Sequence, residues 1–337
     1  MPFIANYSLK NLNTFGIDVN AKWYVNISSE EDLTEAFGSP LIKENKLLVL
    51  GGGSNMLFTK DYDGIVLKIS IKGIEVAQQG TDILVTAGAG EIWDHLVKYC
   101  VAKGYAGLEN LTLIPGTVGA SPIQNIGAYG VEIKDVFESC TAFEIATGQL
   151  RTFSKADCEF GYRESVFKGK LKGKYIITSV TYRLSNIPNV QTHYGAINSE
   201  LDRRGIERPS ISDISEVVAA IRVSKLPDPS TIGNAGSFFK NPVISQQAFD
   251  ELLSRFPDTP HYPAPNGRVK LAAGWLIEQC GFKGLVDGHT GTWKNQALVL
   301  VNHGGATGQE VYRFSEKIIE TVQEKFGVLL EREVNIF

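Results

Sequence analysis

The 337-residue chain is poor in the signals that assign a protein quickly. It has only four cysteines, Cys100, Cys140, Cys158 and Cys280, widely spaced and forming no C-x-x-C pair. Neither a disulfide framework nor a zinc site is indicated, and no bound metal is expected. Its 33 basic and 37 acidic residues leave a net charge of -4, which gives no general pull toward nucleic acid or an anionic membrane. No stretch approaches the roughly 18 uninterrupted apolar residues of a membrane span, and the opening MPFIAN turns polar too soon for a secretory signal. A cytoplasmic location is therefore expected. Internal repeats and low-complexity tracts are missing, and so are a Walker A loop and a Rossmann G-x-G-x-x-G.

What the chain has in excess is glycine, 34 residues where average usage of about 7% leaves some ten to be explained. The apolar runs 47–50 and 65–69 read as strands flanking Gly51, Gly52, Gly53, Ser54 and Asn55, and residues 83–87 as a third strand. Trp93, Leu96, Val97, Cys100 and Val101 follow helical spacing up to Gly104. Residues 140–146 and 150–153 read as a hairpin turning at Thr147-Gly148, with a further strand over 175–184. A helix is expected from about Ile214 to Val223, opened by Asp213 and Glu216 as an acidic capping box. A domain boundary is placed near the Gly-, Pro- and Asn-rich segment after it. Beyond lie three amphipathic helices (around 249–256, 271–280 and 311–326), a buried strand over 297–301, and a strand-like LLEREVNIF at the end. The pattern is α+β.

Two loops suit a ligand. Consecutive glycines at 51–53 let backbone N–H groups converge on a phosphate, and Ser54 and Asn55 add side-chain donors, although a tight turn between strands explains the same residues. Residues 111–130, LTLIPGTVGASPIQNIGAYG, have no regular period yet carry too much apolar surface for a solvated linker. An ordered, ligand-binding loop is expected there. Pro115, Gly116, Gly119, Ala120, Gly127 and Ala128 allow close backbone approach, Ser121, Gln124 and Asn125 supply hydrogen bonds, and Tyr129 offers a ring to pack on a planar one. A glycine-rich structural crossover is the other reading, which a second such loop makes less apt.

The set Asn13-Thr14-Phe15-Gly16, Gly51 to Asn55, IPGTVGASPIQNIGAYG, Gly161-Tyr162-Arg163-Glu164-Ser165, GNAGSFFKNP and a near-terminal Glu333-Val334 resembles the UDP-N-acetylenolpyruvoylglucosamine reductase family, type I, in consistent order along the chain. The resemblance implies a flavin-binding α+β fold of the p-cresol methylhydroxylase type. Its first subdomain would comprise residues 1–68 and 331–337 and its second 69–224, with a C-terminal α+β substrate domain over 225–330. It implies FAD, NADPH as hydride donor, and reduction of an enolpyruvyl ether of UDP-N-acetylglucosamine in peptidoglycan synthesis. With no His or Cys in either glycine loop the FAD is expected to be non-covalent, and a monomer is the default expectation. On the matching positions, Arg163 would meet the substrate carboxylate, Glu333 would be its polarising partner and Ser237 the proton donor. Tyr194 would close over the sugar nucleotide, and Lys225, Asn241, Tyr262, Lys283 and Gln296 would hold it. The chain departs from the pattern in His193, an ionisable group beside the loop tyrosine, and in ending four residues after Glu333. Two alternatives stay open: an alcohol-oxidising flavoenzyme on the same scaffold, or a non-catalytic sugar-nucleotide-binding protein.

Overall fold

A computed structural model describes residues 1–337, and the chain divides into two compact units. The first comprises Met1–Tyr7, Ala21–Gly52 and Asp63–Arg222; the second comprises Ser8–Asn20, Gly53–Tyr62 and Val223–Phe337.

In the first unit a four-stranded sheet runs in the order Ile4–Ser8, Asn20–Ile27, Tyr62–Ile69, Lys46–Leu50. The last two strands are parallel, and their register sets Leu50 beside Lys68, so both end at the Gly51 corner. Two short helices, Glu30–Gly38 and Pro40–Glu44, stand where only strands and turns are expected from sequence. Ser29 and Asp32 close a capping box on the first, and Ser39 caps the second with Pro40 at its first turn. A five-stranded antiparallel sheet follows, ordered Leu150–Ser154, Phe137–Glu144, Tyr175–Ser185, Asp82–Gly88, Ile74–Gln79. Its hairpin turns at Gly148, whose φ of 73° suits glycine. The helix Trp93–Ala102 presents Trp93, Leu96, Val97 and Cys100 to the interior, as its spacing predicts. One core joins both sheets, from Val25, Ile65 and Leu67 through Val85, Trp93 and Phe143 to Val180 and Leu184.

A helical hairpin, Gly195–Arg204 and Ile211–Lys225, completes this part of the chain around Ile197, Leu201, Ile214, Val217, Val218 and Ile221. The second helix starts three residues before the expected Ile214. Ser210 is its cap, with the Asp213 carboxylate accepting from the Ser210 backbone N–H (2.8 Å) while Ser210 Oγ accepts from Asp213 N (3.2 Å). Asp213 is thus the third residue of the helix rather than its cap.

The second unit has an antiparallel sheet in the order Gly233–Ser237, Gln296–Asn302, Thr290–Trp293, Val286–Asp287. A smaller sheet orders Val243–Ile244, Arg268–Leu271 and His261–Ala264. Helices Gln246–Arg255, Ala273–Gln279 and Gly308–Phe326 match the three expected. The last is opened by the Thr307/Glu310 capping box, closed by left-handed Gly327, and buries Val311, Phe314, Ile318, Val322 and Phe326. The terminal LLEREVNIF is not one strand. Phe239 and Arg332 form a bridge, and Asn335–Ile336 pairs in parallel with Met56–Leu57, so the ending changes partner midway. These pairings group residues 53–62 and 331–337 with 223–330, where the expected division put them in the first subdomain. Residues 8–20 join them: Thr14 Oγ1 donates to Asn234 O (2.6 Å) and Asn234 N to Thr14 O (3.0 Å). No helix is long and apolar enough to cross a membrane.

Candidate active site

In the first unit the two glycine loops face each other. A Cβ on Gly52 would lie 2.7 Å from Gly116 Cα, and one on Gly51 would lie 2.6 Å from Thr117 Oγ1. At Gly52 the loops therefore meet backbone to backbone, while Gly51, Gly52, Gly116 and Gly119 stay half-buried and Pro115 and Ala120 exposed. The longer loop is ordered, as its apolar content requires. Trp93 Nε1 donates to Leu111 O (2.9 Å), Leu113 N to Asp94 Oδ1 (2.8 Å), Val118 N to Glu91 O (2.9 Å) and Gly119 N to Ala89 O (2.9 Å).

Two side chains expected to face a ligand are committed to the loop instead. Ser121 is buried, bonded to Val118 O (2.7 Å) and the Tyr182 hydroxyl (2.9 Å). Asn125 is fully buried. Its amide donates to Glu132 Oε2 (3.1 Å) and Gly161 O (2.9 Å), and its oxygen accepts from Lys134 N (3.1 Å). That uses nearly all of its capacity. Gln124, Gly127 and Ala128 remain half-buried along the same stretch. What the cradle offers a ligand is chiefly backbone.

The Gly161–Ser165 turn docks on this loop. Arg163 Nη2 donates to Gly127 O (2.9 Å), Ser165 Oγ donates to Ile123 O (2.7 Å), and the Arg163 guanidinium lies 5.5 Å from the Tyr162 ring centroid. Arg163 is held at φ 57°, a left-handed conformation rare outside glycine that marks a position fixed by its surroundings. Leu113, Asn125, Tyr129 and Glu159 are left-handed too, so five of the seven non-glycine residues with positive φ fall between 113 and 163. Arg163, expected by resemblance to meet a substrate carboxylate, thus sits on the glycine loop.

Tyr129 and Tyr194 meet edge to face, with ring centroids 5.3 Å apart at 80°. Tyr194 stands just before the helix Gly195–Arg204 and is half exposed, with His193 exposed beside it. The Tyr129 hydroxyl is hydrogen-bonded to Arg222, whose pKa is lowered by burial, while burial raises that of Tyr129. Arg222 escapes the sequence reading, yet it carries a signal. Four residues beyond Val218, it is a cation where the apolar stripe of its helix would continue. Glu109, also missed, is buried with its carboxylate accepting from Gly107 N (2.6 Å). Lys225, at the C-terminal end of the helix, is exposed.

In the second unit Ser237 and Glu333 are carried on adjoining segments. The strand Gly233–Ser237 breaks register against Gln296–Asn302 between Asn234 and Ser237, with left-handed Gly236 in the bulge. A bulge re-aims the residue that follows, and Ser237 is exposed between buried Ala235 and Phe238. On its other side Glu333 N donates to Phe238 O (2.8 Å) and Lys240 N to Glu331 O (2.9 Å). Glu333 is also held from below by Asn55, whose amide donates to its carbonyl (3.4 Å). Gly53, at φ 65°, Ser54 and Asn55 thus belong with this unit rather than with Gly51 and Gly52.

The remaining expected substrate residues are spread over the second unit. Asn241 Oδ1 accepts from Ala273 N (3.0 Å), starting a helix. Tyr262 is half exposed, with Lys270 Nζ 5.8 Å from its ring centroid. Lys283 is paired with Glu278 (2.8 Å), and Gln296 Oε1 accepts from Leu298 N (3.3 Å). No group of His, Cys, Asp and Glu is arranged to hold a metal ion.

A family model described as "FAD binding domain" matches residues 21–154, and one described as "UDP-N-acetylenolpyruvoylglucosamine reductase, C-terminal domain" matches residues 228–337. Solved structures with a similar fold include the UDP-N-acetylenolpyruvylglucosamine reductase of Thermus caldophilus (TM-score 0.67, 23% identity, covering 100% of this chain and 98% of that one). Another is 6-hydroxy-D-nicotine oxidase of Arthrobacter nicotinovorans (TM-score 0.51, 13% identity, 92% and 81%). At such identities they speak for the fold alone. Fold and family-model matches together define an FAD-binding oxidoreductase of the p-cresol methylhydroxylase type with an added C-terminal α+β domain. Curated relatives narrow the class. Proteins named UDP-N-acetylenolpyruvoylglucosamine reductase are 50% identical over 99% of this chain in Chromobacterium violaceum and 48% identical over all of it in Flavobacterium johnsoniae, covering 98% and 100% of those proteins. The chain belongs to the UDP-N-acetylenolpyruvoylglucosamine reductase family.

Proposed function

We propose that the chain reduces the enolpyruvyl ether of UDP-N-acetylglucosamine to the lactyl ether of UDP-N-acetylmuramate, with FAD as cofactor and NADPH as the source of hydride. It would do so as a cytoplasmic monomer at an early step of peptidoglycan synthesis. Half identity over full length to curated reductases carries the reading. The cradle fits the cofactor on one observation of this chain. A Cβ at Gly52 would overlap the backbone of the facing loop, so at Gly52 and Gly116 the corners present bare backbone, the kind of surface that approaches a diphosphate closely.

When bound, the flavin supplies hydride transfer; the protein supplies the rest. Gly51, Gly52 and the backbone of residues 115–120 would hold the cofactor, with Gln124 and Ala128 further along. Adding hydride to the vinyl carbon drives charge toward the substrate carboxylate, and an enolate-like species must be stabilised before a proton reaches the neighbouring carbon. Arg163, fixed against Gly127 in a strained conformation, would oppose that carboxylate without reorganising. Ser237, re-aimed by its bulge, would deliver the proton, and Glu333 would polarise the carboxylate from the adjoining segment. A hydroxyl is a weak acid and serves here because an enolate is strongly basic.

The test is anaerobic. NADPH should bleach the flavin absorbance of the purified protein, and the enolpyruvyl sugar nucleotide should restore it. A flavin that stays reduced with competent substrate would refute the reading and favour the oxidase alternative; a colourless protein that takes up no FAD would favour the binding protein.

A further inference from the structure

Lys68 lies at the end of its parallel strand, beside Leu50, where the chain enters the glycine corner. Its side chain is half-buried, and Nζ donates to Gly51 O (2.6 Å). One of three N–H donors is thereby used, and no carboxylate pairs with it. The charge that acts on it is another ammonium, that of Lys72, which bonds Gly90 O (2.6 Å) and pairs with Glu91 (3.5 Å). Glu91 itself also accepts from Gly73 N (2.9 Å). The one carboxylate here is thus engaged by Lys72 and Gly73, and Lys68 has a carbonyl as its partner. Burial, and then Lys72, hold the Lys68 pKa below the usual lysine value. An ammonium kept partly out of water without a counter-ion is costly unless an anion arrives to pair with it. The carboxyl ends of parallel strands are where open α/β sheets take such ligands.

We propose that Lys68 is an anion-binding residue whose ammonium pairs with the diphosphate of the bound flavin dinucleotide at the Gly51 corner. The proposal rests on the FAD reading above and adds to it a charge that the backbone cradle lacks. Diphosphate is shared by the flavin and by the uridine nucleotide, and the position beside Gly51, in the unit matched by the FAD-binding model, assigns Lys68 to the flavin.

The experiment compares apoprotein of the wild type with Lys68→Gln, which keeps a donor for Gly51 O but no charge, and Lys68→Arg, which keeps both. FAD and riboflavin, which lacks phosphate, are titrated by flavin fluorescence. In Lys68→Gln the dissociation constant for FAD should rise about tenfold or more, with riboflavin unchanged. Its weakening between low and high salt should be shallower than in the wild type. Lys68→Arg should restore FAD binding, and UDP affinity of the flavin-loaded protein should be the same in all three. Equal FAD affinity in wild type and Lys68→Gln would overturn the proposal. So would a matching loss for riboflavin, which would make Lys68 a prop for the loop, or a loss confined to UDP. Wild-type protein that binds no FAD would instead refute the functional reading.

Discussion

Replacing Gly52 by alanine tests whether the flavin cradle depends on the two loops touching through their backbones. The added Cβ would sit 2.7 Å from Gly116 Cα and 3.1 Å from Gly116 C. Ordinary contact begins near 3.4 Å, so one loop must back away by about 0.7 Å, and because the obstacle is main chain no side chain can rotate to absorb it. Overpacking of this kind costs about 1–3 kcal/mol. At about 2–4 °C per kcal/mol for a domain of this size, melting should fall by several degrees. FAD affinity should fall with it, since in the proposed cradle a bound dinucleotide would rest on both loops. Gly51→Ala should be milder, because its nearest neighbour is the Thr117 hydroxyl, which can turn aside. The control is Gly148→Ala in the remote hairpin. There a left-handed φ of 73° and only the Phe143 ring at 3.8 Å predict a loss of about 1–2 kcal/mol from backbone strain, with FAD affinity untouched. Melting curves and flavin titrations on the three variants decide it. If Gly52→Ala melts and binds FAD as the wild type does, the facing-loop account of the cradle is wrong.

Three further outcomes are expected. Ser237→Ala should leave reduction of the flavin by NADPH intact but slow reoxidation by the enolpyruvyl substrate by about 10² or more; an unchanged single-turnover reoxidation rate would remove Ser237 from the acid role. Tyr129→Phe keeps the ring against Tyr194 and deletes the hydroxyl that partners half-buried Arg222, so stability should drop by about 1–3 kcal/mol in thermal or urea unfolding, whereas an unchanged midpoint would show that solvent satisfies Arg222 equally well. Glu109 has its pKa raised by burial, so the native state holds this proton more tightly than the unfolded chain does and stability falls as pH rises from about 4.5 through the folded pKa. Glu109→Gln should gain on the wild type across that window, and parallel pH curves for the two proteins would contradict the buried-carboxyl assignment.

Legibility from sequence followed how much each element relies on its own pattern. Trp93–Ala102 and Gly308–Phe326 carry full apolar stripes and were readable almost to the residue. Glu30–Gly38 and Gly195–Arg204 each bury only two side chains, Leu33 and Ala36 in one and Ile197 and Leu201 in the other, so their helical period hardly registers. The Ser29/Asp32 box was the better clue to the first. The final segment alternates like a strand, but alternation does not say which partner each stretch takes, and it takes two. In the site, the glycine loops stood out by composition, and Arg163, Ser237 and Glu333 were reached only through family resemblance. Neither route distinguishes a side chain turned inward to tie its own loop, such as Asn125, from one left for a ligand. Lys68 was out of reach for a related reason. One lysine among many becomes informative only when its missing counter-ion can be seen.

The interleaved membership of the two units sets an order on the birth of the molecule. Thr14 reaches Asn234 across 220 positions and Asn55 reaches Glu333 across 278. On the ribosome, at about 5–20 residues per second, residues 8–20 and 53–62 therefore wait many seconds for strands not yet made. The chain can settle its second unit only when its last residues emerge. A fragment cut at the apparent boundary before Val223 would leave that unit without Ser8–Asn20 and Gly53–Tyr62, among them the Met56–Leu57 strand on which the final residues pair. Severing the chain where the fold looks divisible would thus leave one product with two unpartnered segments and the other with an incomplete unit, and any shuffling of this C-terminal module between proteins has to carry two short pieces of the N-terminal half along with it.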